Sequence, residues 1–207
     1  MQDNKAVNRG LAIPHVNRIL IRPGEVFSFW KLVGPCSAKR SYQEGLIVGR
    51  AVKTRSGVGG GMCQFTNLIH WMILHSELDV IEHHHHDRID MFPDFGRKVP
   101  FGTGTSIMYN YLGYRVKNNT DKTFQLIIYT DDEYLYGEVR ASALSDYKIH
   151  IGVEDEHFVR IGVVYRKGKV YARRIDKRTG DEVERTLIRS NHAKVLYDTS
   201  NLTVREG

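Results

Sequence analysis

The sequence predicts an α+β fold in which mainly antiparallel β-sheet surrounds one central helix. Helical periodicity is clear in one stretch, from about Cys63 to Ser76, which follows a glycine-rich loop. Its apolar residues recur at helical spacing: Phe65, Leu68, Ile69, Met72 and Ile73. Much of the remaining chain consists of short β-like runs separated by turn signals. Such runs, without regularly alternating helices, are typical of antiparallel sheet.

The elements before the helix are predicted to be short. Residues 4–17 form a helix whose length Pro14 limits. Two strands, 19–21 and 26–30, flank a turn at Pro23-Gly24, because proline followed by glycine is a strong turn signal. A further β-like run covers residues 46–52, directly before the glycine-rich loop.

The part after the helix is predicted to be a meander. A strand at 79–86 leads into a long loop at 87–104, and loops of this length in compact domains are often functional. The later predicted strands are 106–117, 123–130, 134–141, 157–165, 170–175 and 183–189. Lys167-Gly168 and Thr179-Gly180-Asp181 are predicted as the last two turns. We expect a core domain at residues 1–145, with residues 146–207 as a C-terminal hairpin extension packed on it.

Composition indicates an ordinary globular protein with an excess of basic residues. The 207 residues are 41% hydrophobic and carry a net charge of +6. This charge suggests an anionic partner, such as nucleic acid, phospholipid or an anionic wall polymer, or else serves general solubility alone. No specific nucleic-acid motif is present. No apolar run is long enough to span a membrane. The N-terminus lacks the pattern of a signal peptide, so the expected location is cytoplasmic as written, or extracytoplasmic if a leader was removed.

The most informative local feature is a glycine run that leads into a cysteine, Gly57–Gln64 (GVGGGMCQ). A cysteine at a helix N-terminus feels the positive end of the helix dipole, which favours the reactive thiolate. Cys63 is therefore a candidate nucleophile. Backbone N–H groups of Gly60, Gly61 and Gln64 are candidates to stabilise an oxyanion. The alternative is a glycine turn that caps the helix, with Cys63 as a small buried residue.

A histidine cluster, Glu82–Asp87 (EHHHHD), follows the helix closely. If the strand persists through it, His84 and His86 share one face and His83 and His85 share the other, and a histidine on the Cys63 side can serve as the base for the cysteine. A metal site formed by His84 and His86 with Cys63 or Asp90 is a further possibility, although the spacing matches no common zinc motif. The histidines can also be surface residues without chemistry. No cofactor is expected.

Two further residues are candidates for substrate binding. Trp30 is a core or cleft-wall aromatic that can serve as a substrate platform. Arg97 belongs to the long loop and can bind a carboxylate with two parallel hydrogen bonds. Its alternative role is that of a surface charge.

Five segments resemble, in order, the motifs of the VanW family. They are Pro23–Phe29 (PGEVFSF), Gly34-Pro35 with Tyr42–Gly45 (GP and YQEG), Gly59–Asn67 (GGGMCQFTN, similar to GGGxCQxxN), Glu82–Asp87 and Asn118–Thr120 (NNT). The resemblance covers roughly residues 8–142, and the combination of motifs is highly specific. In one departure, GTGTSI at 102–107 stands where the family usually reads GxDATV, so an acidic residue is missing. If the family's acidic residue orients a histidine, that role is either empty in this chain or has moved to Asp90 or Asp94.

The resemblance implies a cell-envelope protein linked to glycopeptide resistance. Some VanW-type domains are associated with peptidoglycan cross-linking of the L,D-transpeptidase kind. Carried over, Cys63 would attack a stem-peptide carbonyl to form a thioester, with His84 or His86 as base and then acid. An amine from a second stem would resolve the thioester, or water would do so in an amide hydrolase. The alternative is a non-catalytic binding or accessory module.

Overall fold

A computed structural model describes residues 2–48, 54–85, 88–94, 96, 99–131 and 133–207. Its helices are α1 (Gln2–Ala12), α2 (Phe29–Val33) and α3 (Met62–Leu74). Its strands are β1 (Leu20–Ile21), β2 (Val26–Ser28), β3 (Glu44–Val48), β4 (Thr54–Val58), β5 (Asp79–Glu82), β6 (Ile89–Asp90), β7 (Arg115–Lys117), β8 (Phe124–Thr130), β9 (Leu135–Ala141), β10 (Tyr147–Ile161), β11 (Val163–Asp176), β12 (Glu182–Val195) and β13 (Val204–Glu206). The predicted α+β class is confirmed, because most strand pairs are antiparallel.

The chain forms two compact units. Unit 1 comprises Met1–His84 and Thr105–Leu144, and unit 2 comprises His85–Gly104 and Ser145–Gly207. Residues 85–104, which lie in the middle of the sequence, thus belong with the C-terminal strands.

Unit 1 holds two three-stranded sheets and a hairpin. The sheets have the orders β1-β8-β9 and β2-β7-β5, and β3 pairs with β4. Its core is apolar, and the largest fully buried members include Phe29, Phe65, Ile69 and Leu126. Within it, α3 turns Phe65, Ile69 and Ile73 inward, as the helical spacing predicts.

Glycines fix how α3 begins. Gly61 is the N-cap residue of α3 and has φ of +104°, a conformation that side chains disfavour. Gly60 lies against the backbone of β3: a Cβ built on it would lie 2.6 Å from Gly45 Cα and 2.8 Å from Leu46 N. The glycine run therefore brings the start of α3 against the β3–β4 hairpin.

Three predicted strands of unit 1 extend too far. The strand over 26–30 ends at Ser28, and Trp30 lies on α2, because Phe29 and Val33 bury one helical face together. The strand over 79–86 ends at Glu82, and the strand over 106–117 contains only Arg115–Lys117. The partner strand β7 has three residues, so the ladder with β5 cannot continue into the histidines. The prediction that the histidines alternate between the two faces of a strand is therefore wrong for His83–His85.

Unit 2 is a five-stranded sheet with the order β13-β10-β11-β12-β6. The predicted turn at Lys167-Gly168 is wrong, since both residues lie inside β11. The chain turns instead at Gly162, with φ of +73°, between β10 and β11. The alternating apolar residues at 159–165 thus belong to two strands. The turn at Thr179-Gly180-Asp181 connects β11 and β12, as predicted.

A buried cation organises the β6 end of unit 2. The Arg166 side chain is only 3% exposed and forms ion pairs with Asp90, Asp94 and Glu156. Tyr197 donates a 2.8 Å hydrogen bond to Asp90. Because Arg166 satisfies carboxylates from two segments, it ties the 85–104 stretch to the sheet.

Candidate functional site

Cys63 lies in the first turn of α3 within unit 1. It is the second residue of the helix, is partly exposed and forms no disulfide. The backbone N–H of Ile107 donates a hydrogen bond to its sulfur. A donor at this point is well placed to stabilise negative charge on or beside the sulfur.

Hydrogen bonds from α3 hold the segment that carries Ile107. Asn67 Oδ1 accepts from Thr105 N at 2.6 Å and from Thr105 Oγ1 at 2.8 Å. The buried Thr105 hydroxyl also contacts Thr66 Oγ1 and the Cys63 carbonyl oxygen. We call this group, formed by Thr66, Asn67 and Thr105, the threonine–asparagine clamp. The clamp fixes residue 105 on the face of α3 that carries Cys63. Ile107, two residues further along the chain, therefore lies beside the Cys63 sulfur.

The glycine loop before Cys63 is fixed from α1. The fully buried Asn8 donates to the carbonyl oxygens of Gln43 and Gly60, both at 2.9 Å. Within the described part of the chain, the N–H groups of Gly60, Gly61 and Gln64 donate to no other residue. They are therefore available as donors beside Cys63.

A cavity of about 360 Å³ opens onto Cys63. This volume lies within the range of roughly 300–1,000 Å³ that is usual for small-molecule sites. Its walls come from α1, the β3–β4 hairpin, the glycine loop and residues 107–109, and are mostly apolar. The cavity lies entirely in unit 1.

Trp30 and Tyr109 form an aromatic wall of this cavity. Their rings meet edge to face with centroids 5.6 Å apart. The Trp30 indole donates a 2.9 Å hydrogen bond to the Leu112 carbonyl oxygen, which fixes the ring. Tyr109 is exposed, so the wall reaches solvent. Rigid aromatic surface of this kind suits contact with a ligand.

Cys36 is the second cysteine of the cavity. Burial raises the pKa of its thiol to about 11, against the lowering effects of Tyr42 and Arg40. Burial also raises the pKa of the Cys63 thiol, while the hydrogen bond from Ile107 acts in the opposite direction. Both cysteines are therefore thiols at neutral pH, and reaction at Cys63 requires a base or a substrate-induced change in its surroundings.

The matches to known proteins cover most of the chain. The family model "VanW like protein" matches residues 4–140. The chain is 34% identical over 197 residues to the vancomycin B-type resistance protein VanW of Enterococcus faecalis (strain ATCC 700802 / V583). That match covers 95% of this chain and 71% of the relative. This chain belongs to the VanW family. No solved structure matches it.

The VanW-family motifs coincide with the parts that build the cavity. The GGGMCQFTN segment supplies the glycine loop, Cys63, Gln64 and the clamp residues Thr66 and Asn67. The segment at 102–107 supplies Thr105 and Ile107. Of the residues predicted from sequence, Trp30, Gly60, Gly61, Cys63 and Gln64 line one cavity.

His84 lies near this arrangement without lining the cavity. No histidine is found among the cavity residues of the described chain. The His84 carbonyl oxygen accepts a 2.6 Å hydrogen bond from Ser106 N, next to Ile107. Its imidazole Nε2 lies 3.3 Å from Glu82 Oε1, which also accepts from Gly113 N at 2.9 Å. Glu82 thus provides an acidic partner for this histidine.

Other predicted site residues are placed elsewhere or are not described. His86 and Arg97 lie outside the described residues. Asp90 and Asp94, considered as replacements for the family acid, are bound to Arg166 within unit 2. No group of three or more metal-ligating side chains forms within the described ranges. In the same ranges, no helix has the length and hydropathy needed to cross a membrane.

Sequence reasoning missed several residues of this site. Thr66, Asn67 and Thr105 form the clamp, Ile107 acts on the Cys63 sulfur, Lys5 lines the cavity and Glu82 contacts His84. Asn67 and Glu82 stood inside the quoted motifs, so the motifs alone could have marked them. Lys5 had no signal, because it lies 58 positions from Cys63 on a separate helix.

Proposed function

We propose that this VanW-family protein is a cysteine-dependent acyl transferase or amide hydrolase of the cell envelope that acts on peptidoglycan stem peptides. The observation that carries the proposal is the position of Cys63, in an aromatic-walled cavity with the Ile107 N–H directed at its sulfur. The relative from Enterococcus faecalis is named for vancomycin resistance. A role in cell-wall peptide chemistry suits that name.

The cavity suits a two-step acyl transfer. The Cys63 sulfur, after losing its proton, attacks the carbonyl carbon of a stem-peptide amide and forms a tetrahedral oxyanion. N–H groups of Gly61 and Gln64 at the start of α3, together with Ile107, are available to stabilise that oxyanion. The C–N bond then breaks, and the leaving amine takes a proton. An amine of a second stem, or water, attacks the thioester and restores the thiol.

A base is needed because burial keeps Cys63 protonated. We assign this role to His84, whose orientation Glu82 fixes through Nε2. The segment 105–107 hydrogen-bonds to both partners, through Ser106 to the His84 backbone and through Ile107 to the Cys63 sulfur. Closure of the cavity around a substrate would have to bring the imidazole to the sulfur, since catalytic contacts often tighten only in the complex. His86 is the alternative base.

A second candidate is a non-catalytic module that binds wall peptides. The raised pKa of the Cys63 thiol and the lack of histidine among the described cavity residues favour it. In that case the cavity binds its ligand without covalent chemistry. The glycine loop and clamp would then serve only to shape it.

Peptide mapping by mass spectrometry after reaction with purified stem peptides tests the proposal. The protein is incubated with a tetrapeptide or pentapeptide stem, quenched in acid and digested. We expect an acyl adduct on Cys63, its loss in Cys63→Ala and its retention in Cys36→Ser. His84→Gln should slow its formation by roughly 100-fold or more, the usual contribution of a general base.

The two candidates predict different results. Saturable peptide binding that persists in Cys63→Ala, with no adduct and no released amine in the wild type, would establish the binding module and reject the enzyme. An adduct on Cys36 instead of Cys63 would place the nucleophile on the wrong residue and also contradict the proposal.

A further inference from the structure

We infer that the Cys63 cavity selects an acyl donor that carries a carboxylate, and that Lys5 is the residue that binds it. The inference rests on the proposed function for the identity of the reacting group. It adds the requirement that the substrate be negatively charged, and it assigns recognition of that charge to a residue of α1. None of the family motifs quoted above includes this helix.

The cavity is electropositive. Lys5 is the charged side chain among its described lining residues, and that set contains no aspartate or glutamate. The start of α3 adds the positive end of a helix dipole. A low-polarity cavity with a cation and no acid favours an anionic group over a cationic or neutral one.

The position of Lys5 is built into the fold. Its Cα, Cβ and Cγ pack over Gly61, where they would lie 3.1–3.3 Å from any added Cβ. Neighbouring positions of α1 are anchored, since Asn4 donates to the Glu44 carbonyl oxygen and Asn8 to that of Gly60. Within the described chain, no carboxylate pairs with the Lys5 ammonium. Because Gly61 has no side chain, Lys5 can pack against the N-terminus of α3.

A second cation on α1 orients Gln64. Arg9 Nη1 donates a 2.6 Å hydrogen bond to Gln64 Oε1. Because this oxygen already accepts from Arg9, the amide NH₂ of Gln64 remains as a donor. Lys5 and Gln64 line the same cavity as Cys63, and their N–H donors match a carboxylate acceptor.

Two alkylating reagents of nearly equal size test the charge preference. Iodoacetate carries a carboxylate and iodoacetamide is neutral, and with each the thiolate displaces iodide to form a thioether. The rate ratio of iodoacetate to iodoacetamide is measured at Cys63 in a Cys36→Ser background. We expect the ratio to exceed that of glutathione and to fall roughly 3- to 10-fold in Lys5→Met, as expected for one partly screened charge at short range.

Lys5→Arg should keep the ratio, and Lys31→Met is the matched control. Lys31 is exposed and does not line the cavity. Lys31→Met lowers the net charge of the protein by the same amount as Lys5→Met. A ratio unchanged by Lys5→Met, or lowered equally by Lys31→Met, would overturn the inference while leaving Cys63 chemistry intact. Failure of both reagents to modify Cys63 would instead reject the accessible nucleophile itself, and the inference with it.

Discussion

The threonine–asparagine clamp should control the reactivity of Cys63, and Asn67→Ala is the direct test. The substitution removes the acceptor of two hydrogen bonds from Thr105, of 2.6 and 2.8 Å. Each typically contributes about 0.5–1.5 kcal/mol, so we expect a loss of about 1–3 kcal/mol in the free energy of unfolding. Because Asn67 is exposed, the lower end of this range is expected.

The effect on the thiol follows from the position of Ile107. Its N–H lowers the pKa of Cys63, so displacement of the 105–107 segment should raise that pKa further. A hydrogen bond to a charged group contributes about 1.5–3 kcal/mol, and about 1.4 kcal/mol corresponds to one pKa unit. At a fixed pH below the pKa, the thiolate fraction and the alkylation rate should therefore fall about tenfold or more.

The assay is the pH profile of iodoacetamide alkylation at Cys63 in a Cys36→Ser background, alongside urea unfolding. Asn67→Asp keeps the oxygen acceptor and should recover most of the stability. Asn119→Ala is the control, since Asn119 is an exposed asparagine whose Nδ2 donates a 2.7 Å hydrogen bond to Asp79. If Asn67→Ala loses stability but leaves the alkylation profile unchanged, the clamp does not position Ile107 and the reasoning is wrong.

Three further predictions concern the glycine loop, the thiol and unit 2. Gly60→Ala should lower the free energy of unfolding by about 1–3 kcal/mol, because the added Cβ would meet backbone atoms that cannot rotate away. Gly10→Ala is the control: the space around Gly10 is open, so this substitution should be neutral or stabilising. Urea unfolding measures both changes. The alkylation rate of Cys63 should still rise with pH above about 8.5, the ordinary pKa of cysteine, because burial raises the pKa of this thiol. A rate that stops increasing at or below that pH would contradict this prediction. Arg166→Met should lower the free energy of unfolding by about 3–5 kcal/mol, since it leaves the buried Asp90 carboxylate without its cation. A urea midpoint equal to that of the wild type would show that the ion pairs of Arg166 are not stabilising.

Local sequence determined the start of α3 and the turns at Pro23-Gly24 and Thr179-Gly180-Asp181, although it misplaced the turn between β10 and β11. The apolar spacing after Cys63 specifies a buried helical face, and Gly61 provides a conformation that other residues disfavour. The order of motifs was sufficient to indicate the VanW family, which the matches then established. These features need only neighbouring residues, so they can be read without the fold.

Tertiary structure decided which distant residues surround Cys63. The Ile107 N–H, the Asn67–Thr105 hydrogen bonds and the lysine over Gly61 each join segments far apart in sequence, and no local pattern specifies such contacts. It also ended the strand before the histidines, because a strand extends only as far as its three-residue partner β7. The residue types of the site are therefore written in the sequence, whereas their electrostatic surroundings arise only from packing.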